Sequence, residues 1–265
     1  MGAMAHNPSD MFGRARGNGV DEVSIRSLRT LADFEVRRPH TARVLTLILA
    51  DAEFELVPQG LTGHPSVYAS ARKRGRSPRS ILLDSSVHHP ALKKFPEGER
   101  RGRPDIVHVF LLLCLDSILN QEGALSTIVH TRNDDVLRIA PHTRIPRNYT
   151  RFVGLVEELF HKGSVPDAEP LITLERGVPL KEVLEGIDAP AWAFVEDGER
   201  LADLGSAFTD VREGLVAVLA GFPHGGFRSP VRDLCDRVVS IHAEPLKAWT
   251  VASEILVTFR RANRD

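Results

Sequence analysis

Two cysteines among 265 residues rule out a disulfide-stapled scaffold, and neither Cys114 nor Cys235 has the CxxC partner of a zinc site. Both lie in apolar stretches and are expected to be buried, reduced thiols. Long hydrophobic runs are missing as well. The longest, IVHVFLLLCL, is bounded by Asp105 and Asp116 and falls short of the ~18 residues of a membrane span. The amino-terminal MGAMAHNPSDMFGRARGNG has no signal-peptide core, so a soluble, cytoplasmic protein is expected. An excess of charge of one sign is also absent: 34 Lys and Arg oppose 35 Asp and Glu, for a net charge of -1. Any affinity for a polyanion must therefore come from local clustering. Lysine is scarce, with arginine supplying most of the 34 cations, and the arginines crowd into 72–79, 100–103 and 138–151. His88, His89, His108 and His130 lack ligand-like spacing with Cys or carboxylates, so no metal site is expected. The GxGxxG of a dinucleotide site is missing too.

What remains is a globular chain, 42% hydrophobic, that is long enough to bury a sizeable core. Residues 1–19 are expected to be a disordered tail or residues left by cloning, and 20–42 an extension with near-helical apolar spacing. RVLTLILADAEFELVP opens the main domain as a buried strand before Pro58, and ILLDSS is expected to be a second short strand. Pro104 and the stop signals Asn120 and Gly123 make IVHVFLLLCLDSILN a buried helix. ALSTIVHTRNDDVLRIAP reads as a hairpin, and RNYTRFVGLVEELFHKG as an amphipathic helix ending at Gly163. From residue 171 the apolar runs in PAWAFVEDGE, GLVAVLAGFPHGGF and RVVSIHAEPL alternate with helical segments, the pattern of parallel strands buried on both faces. Ligands of such sheets bind beyond the carboxyl ends of the strands, so the three loops are expected to meet in one place.

Arg144, Arg147 and Arg151, three and four residues apart, predict a cationic helical face suited to bidentate phosphate contacts and to RNA before membrane. Arg72, Lys73, Arg74, Arg76 and Arg79 predict a looser phosphate contact. Asp105 has three readings: a general base, an acceptor for a target base, or the ion-pair partner of Arg103.

In order along the chain, RRGRPDIVH, LDSILN, IVHT, TRIPRNYTRFVGL, GFPHGGF and SIHAEPLKAW resemble the Nep/Emg family of ribosomal-RNA methyltransferases, of the SPOUT (α/β-knot) class, over roughly residues 43 to 262. The resemblance implies an α/β fold with a parallel sheet, a carboxy-terminal trefoil knot, and a basic insertion from about 60–80 and 125–150 within domain 43–265. It implies a homodimer that uses S-adenosylmethionine to methylate N1 of a pseudouridine in small-subunit rRNA, tied to ribosome assembly. By the same resemblance Arg103, Arg144, Arg147 and Arg151 contact RNA. Ala220, Gly225, Ile241, His242, Ala243, Glu244, Pro245 and Leu246 border the cofactor, with Glu196 and Asp197 offered for the ribose hydroxyls. Ala220 departs from the glycine usual in the family. A non-enzymatic rRNA-binding assembly factor of the same fold is the alternative.

Overall fold

The computed structural model describes residues 43–263, so the tail expected at 1–19 and the extension expected at 20–42 lie outside the described residues. The centre is β1 (Val44–Ala52), buried almost throughout and running parallel to β2 (Leu125–Thr131) on one side and β7 (Gly214–Ala220) on the other. Ile48 faces Ile128 and Val218 in register, which is why β1 reads as an unbroken apolar run. Beyond β7 lie β6 (Ala191–Arg200) and β8 (Arg237–Ser240), again parallel. Beyond β2 lie β3 (Val136–Ile139), β5 (Ile172–Glu175) and β4 (Ser164–Val165), all antiparallel to their neighbours. The order is β4-β5-β3-β2-β1-β7-β6-β8.

The α/β class is as expected, but the sheet is mixed. Five strands are parallel; the other three are not, because the short turn between β2 and β3 admits only an antiparallel partner, whereas parallel strands need a crossover. The expected hairpin at 124–141 is this pair, so residues 125–131 and 136–139 of the expected insertion are strands of the sheet. ILLDSS is not a strand either. Leu82 makes one bridge to Leu56, and Asp84 then caps α2 (Ser85–Leu92), its Oδ1 accepting from the Ser86 N–H at 2.8 Å.

Ahead of α2 lies α1 (Pro65–Lys73). The long apolar run becomes two helices, α3 (Pro104–Asp116) and α4 (Ile118–Gln121). Ser117, extended at ψ 149, ends the first and caps the second. α5 (Tyr149–Lys162) begins at the Asn148 cap and ends at Gly163, whose φ of 83° lies in the left-handed region where glycine carries no Cβ penalty. The remaining helices are α6 (Leu180–Glu185), α7 (Leu204–Thr209), α8 (Val231–Leu234) and α9 (Ala248–Ala262), the last packed on α3 and α7. Phe54, Phe110, Phe152, Phe208 and Phe259 are fully buried in the core they share, each worth roughly 1.5–3 kcal/mol of burial. Cys114 is buried and Cys235 half-buried, both free thiols.

Three histidines are buried, His88, His108 and His130, and two of them accept a backbone N–H. His130 accepts the Asp51 N–H through Nδ1 at 3.3 Å, and His88 accepts the Asp84 N–H through Nδ1 at 3.1 Å. Burial holds both below the ordinary histidine value. A lowered folded pKa means that the unfolded chain binds more protons just below ~6.5, so stability falls as pH drops through that value. The urea midpoint is expected to fall between about pH 7 and about pH 5, and a His88→Gln, His130→Gln double variant to show a flatter dependence.

Candidate functional site

The carboxyl ends of β6, β7 and β8 enclose a cavity of about 880 Å³, within the range of small-molecule sites, and the three loops expected to converge do so. The first loop is a bulge. β6 leaves register after Phe194 and regains it at Glu199, both opposite Val239, so residues 195–198 swing outward. Val195, Glu196 and Asp197 line the cavity, and Arg232 holds Asp197 at 2.5 Å. Gly198 is what lets the bulge close, since a Cβ there would lie 2.6 Å from the Val239 carbonyl carbon.

The second loop carries Ala220 and Phe222–Phe227 into the wall. A Cβ at Gly221 would lie 2.5 Å from the Ala52 Cα, so this glycine is fixed by packing. Gly225 differs: there is room for a Cβ, but its φ of 86° is one that branched side chains avoid. Asp51, buried and itself at φ 51°, clamps the end of this loop. Its Oδ2 accepts the N–H groups of Arg228 (2.6 Å) and Ser229 (2.8 Å), and its Oδ1 the Ser229 hydroxyl (2.7 Å). The third loop contributes Ile241, His242, Glu244, Pro245 and Leu246; Ala243 does not reach the wall. The Glu244 N–H donates to His242 Nδ1 at 3.1 Å, which folds the loop on itself.

An apolar floor of Phe194, Leu219, Val239 and Ile106, with Trp249 from α9, meets a rim holding Glu196, Asp197 and Glu244. That donor set fits a ligand with one flat apolar ring, hydroxyl groups and a positive charge. Replacing Gly225 with Val is expected to weaken binding of the S-adenosylmethionine that the resemblance implies at least about tenfold through backbone strain, read by calorimetry. RNA affinity measured without that ligand should not change, and undiminished ligand affinity would move the site elsewhere.

Arg103 lines the cavity and also a second one of about 760 Å³, bounded by Asp84, Ser86, His89, Lys93, Asp105 and Tyr149. Its Nε and Nη2 donate to Asp105 Oδ1 and Oδ2 at 2.8 and 2.7 Å, a bidentate fork that engages both carboxylate oxygens. The ion-pair reading of Asp105 is therefore present in the structure. Tyr149 donates its hydroxyl to Asp84 Oδ2 at 2.6 Å, and burial keeps that phenol protonated.

Arg144, Arg147 and Arg151 do not share a helical face. Only Arg151 is in α5; Arg144 and Arg147 lie on the segment before the Asn148 cap, because Pro146 keeps Ile145 out of helical conformation. All three are exposed, and among the described residues none of their guanidinium groups forms an ion pair. Arg100, Arg101 and Arg132, by contrast, are spent on Glu53 and Glu55. Arg74 and Arg76 are likewise committed to the buried Glu157, at 2.5 and 3.4 Å, which leaves Arg72, Lys73 and Arg79 of the expected phosphate-contacting run exposed.

A family model described as "EMG1/NEP1 methyltransferase" matches residues 47–260. The chain is 48% identical over 223 residues to "Ribosomal RNA small subunit methyltransferase Nep1" of Thermococcus kodakarensis, covering 83% of this chain and 99% of that protein. It is 46% identical over 216 residues to the protein of the same name from Methanothrix thermoacetophila, covering 82% and 95%. Among solved structures, that of Archaeoglobus fulgidus Nep1 bound to S-adenosylhomocysteine superposes with a TM-score of 0.74 at 36% identity, covering 84% of this chain and all of that one.

Proposed function

The chain belongs to the EMG1/NEP1 methyltransferase family, and on that premise we propose that it methylates small-subunit ribosomal RNA with S-adenosylmethionine, at N1 of a pseudouridine. The observation that supports this reading best is the position of Arg103, which lines both the three-loop cavity and the second cavity, beside Asp105 and Tyr149. S-adenosylmethionine supplies an electrophilic methyl group. The chain's part is to seat it among the loops after β6, β7 and β8, with Glu196 and Asp197 toward the ribose hydroxyls, and to present the acceptor nitrogen beside it. The N1–H must pass its proton to a base or to solvent as the methyl arrives, and the role proposed for the Arg103–Asp105 pair is to stabilise the charge that develops on the acceptor base.

Finer readings belong to the same proposal. The carboxy-terminal segment is threaded into the trefoil knot, and the basic insertion is built from about 60–80 and 125–150. The chain works as a homodimer. Val109, Ile118 and Val257 are exposed apolar residues on helices α3, α4 and α9, which pack on one another, and the reading offers them to a second copy. Among the described residues no helix is long and apolar enough to cross a membrane. The protein acts in the cytoplasm, alongside ribosome-assembly factors.

The test is incubation of small-subunit rRNA with isotopically labelled S-adenosylmethionine, followed by mass spectrometry of the nucleosides. One labelled methyl per rRNA is expected. Binding of the RNA without label transfer would favour the non-enzymatic assembly factor. In the same system Arg147→Ala should weaken RNA binding and make the log–log salt slope shallower by about one, as one phosphate contact is lost. Equal affinity at physiological salt would remove Arg147 from the interface.

A further inference from the structure

Glu53, fully buried just past β1, is bonded to both halves of the site. Its N–H donates to the Gly221 carbonyl at 3.0 Å, and its own carbonyl accepts the Arg103 N–H at 2.8 Å. Its carboxylate receives Arg100 Nε at 2.5 Å and also Arg132. One residue thus touches the second cofactor loop and the residue that heads α3.

Arg100 doubles this link. Its Nη1 donates to the Gly226 carbonyl at 3.1 Å, and its guanidinium lies 4.4 Å over the ring of Phe222. Both Gly226 and Phe222 are walls of the cofactor cavity. Further out, Glu97 receives Arg228 at 2.6 Å and Arg132 at 2.7 Å. The segment 97–103, which ends in Arg103, is therefore stitched to the segment 222–228 at several points. The Nη2 of Arg100 is buried without a hydrogen-bond partner among the described residues.

We infer that Arg100 is a positioning residue that makes cofactor binding and RNA binding cooperative, the cofactor loop and the Arg103 segment being fixed through one guanidinium. This rests on the function proposed above. A ligand that settles Phe222 and Gly226 in one arrangement fixes Arg100, and through Glu53 the backbone of Arg103. RNA held by Arg103 does the converse, and linkage requires the two effects to be equal. Lysine cannot replace the fork, because a point charge does not serve a carboxylate, a carbonyl and a ring face together.

The experiment measures the dissociation constant of an rRNA stem-loop bearing one pseudouridine, with and without saturating S-adenosylhomocysteine, and the reciprocal constant for S-adenosylhomocysteine. In the wild-type chain each ligand should tighten the other by the same factor, at least about 5-fold. In Arg100→Lys that factor should fall to about 1, while stem-loop affinity without S-adenosylhomocysteine stays within about 2-fold, as the net charge is kept. Phe222→Leu keeps the apolar contact and removes the ring under the cation, so it should lower the factor even if Arg100→Lys folds poorly. An undiminished factor in the folded variants, or a factor of 1 in the wild type with both ligands bound, overturns the coupling and leaves the function standing. A wild-type protein that binds neither ligand overturns both.

Discussion

An rRNA stem-loop in which uridine replaces the target pseudouridine is expected to take up no methyl group, and its pseudouridine twin to be methylated once. In uridine N1 is bonded to the ribose and has no lone pair to offer. Isomerisation moves the glycosidic bond to carbon and frees N1 as a weakly acidic N–H. The difference should exceed the roughly 10⁴-fold that hydrogen-bond selectivity supplies in a site built for one polar group, because here the nucleophile itself is missing. Both stem-loops should bind equally well, since the contacts proposed for the exposed arginines at 144, 147 and 151 are to phosphates, which the two share. The check is label incorporation at matched RNA occupancy. Methyl incorporation into the uridine stem-loop sinks the substrate assignment, and the reaction would then have to be sought on another atom.

The elements that position the site were legible because each carries a strong local signal. β1 and β7 are unbroken apolar runs, α3 opens on Pro104, and α5 closes on Gly163. The convergence of three loops followed from parallel strands and the rule that ligands lie beyond their carboxyl ends. What escaped was tertiary. Asp51, Glu53 and Glu55 alternate at the end of a buried strand, a warning that carboxylates were entering the core and needed partners, but no sequence shows that those partners are Arg100, Arg101, Arg132 and the backbone of Ser229. Gly198 and Gly221 are required by the backbones they face, Val239 and Ala52, which lie far away in the chain. The arginine face failed for a reason that was readable. Pro146 and Asn148 both mark a helix start, and spacing three and four apart carries meaning only inside one helix.

Asp105→Asn is expected to slow turnover about 100-fold while stem-loop affinity changes by no more than about 3-fold. The carboxylate meets Arg103 with both oxygens, and an amide keeps one acceptor but turns an N–H₂ toward the other guanidinium nitrogen. The fork then rotates away from the place where charge develops on the acceptor base. Arg103→Lys should cost as much, because lysine retains the charge without the planar two-point grip. If the two residues act as one unit, the double variant is no slower than either single one, since the second change removes an interaction already lost. A purely structural role would lower both affinity and thermal stability, so binding and melting temperature are read alongside turnover. The pH–rate profile separates the remaining alternative. A carboxylate acting as general base gives an acidic limb that disappears in Asp105→Asn, whereas a carboxylate acting through Arg103 lowers the whole profile and leaves its shape unchanged. Multiplying losses in the double variant, or disappearance of the limb, would move Asp105 from orienting Arg103 to accepting the N1 proton itself.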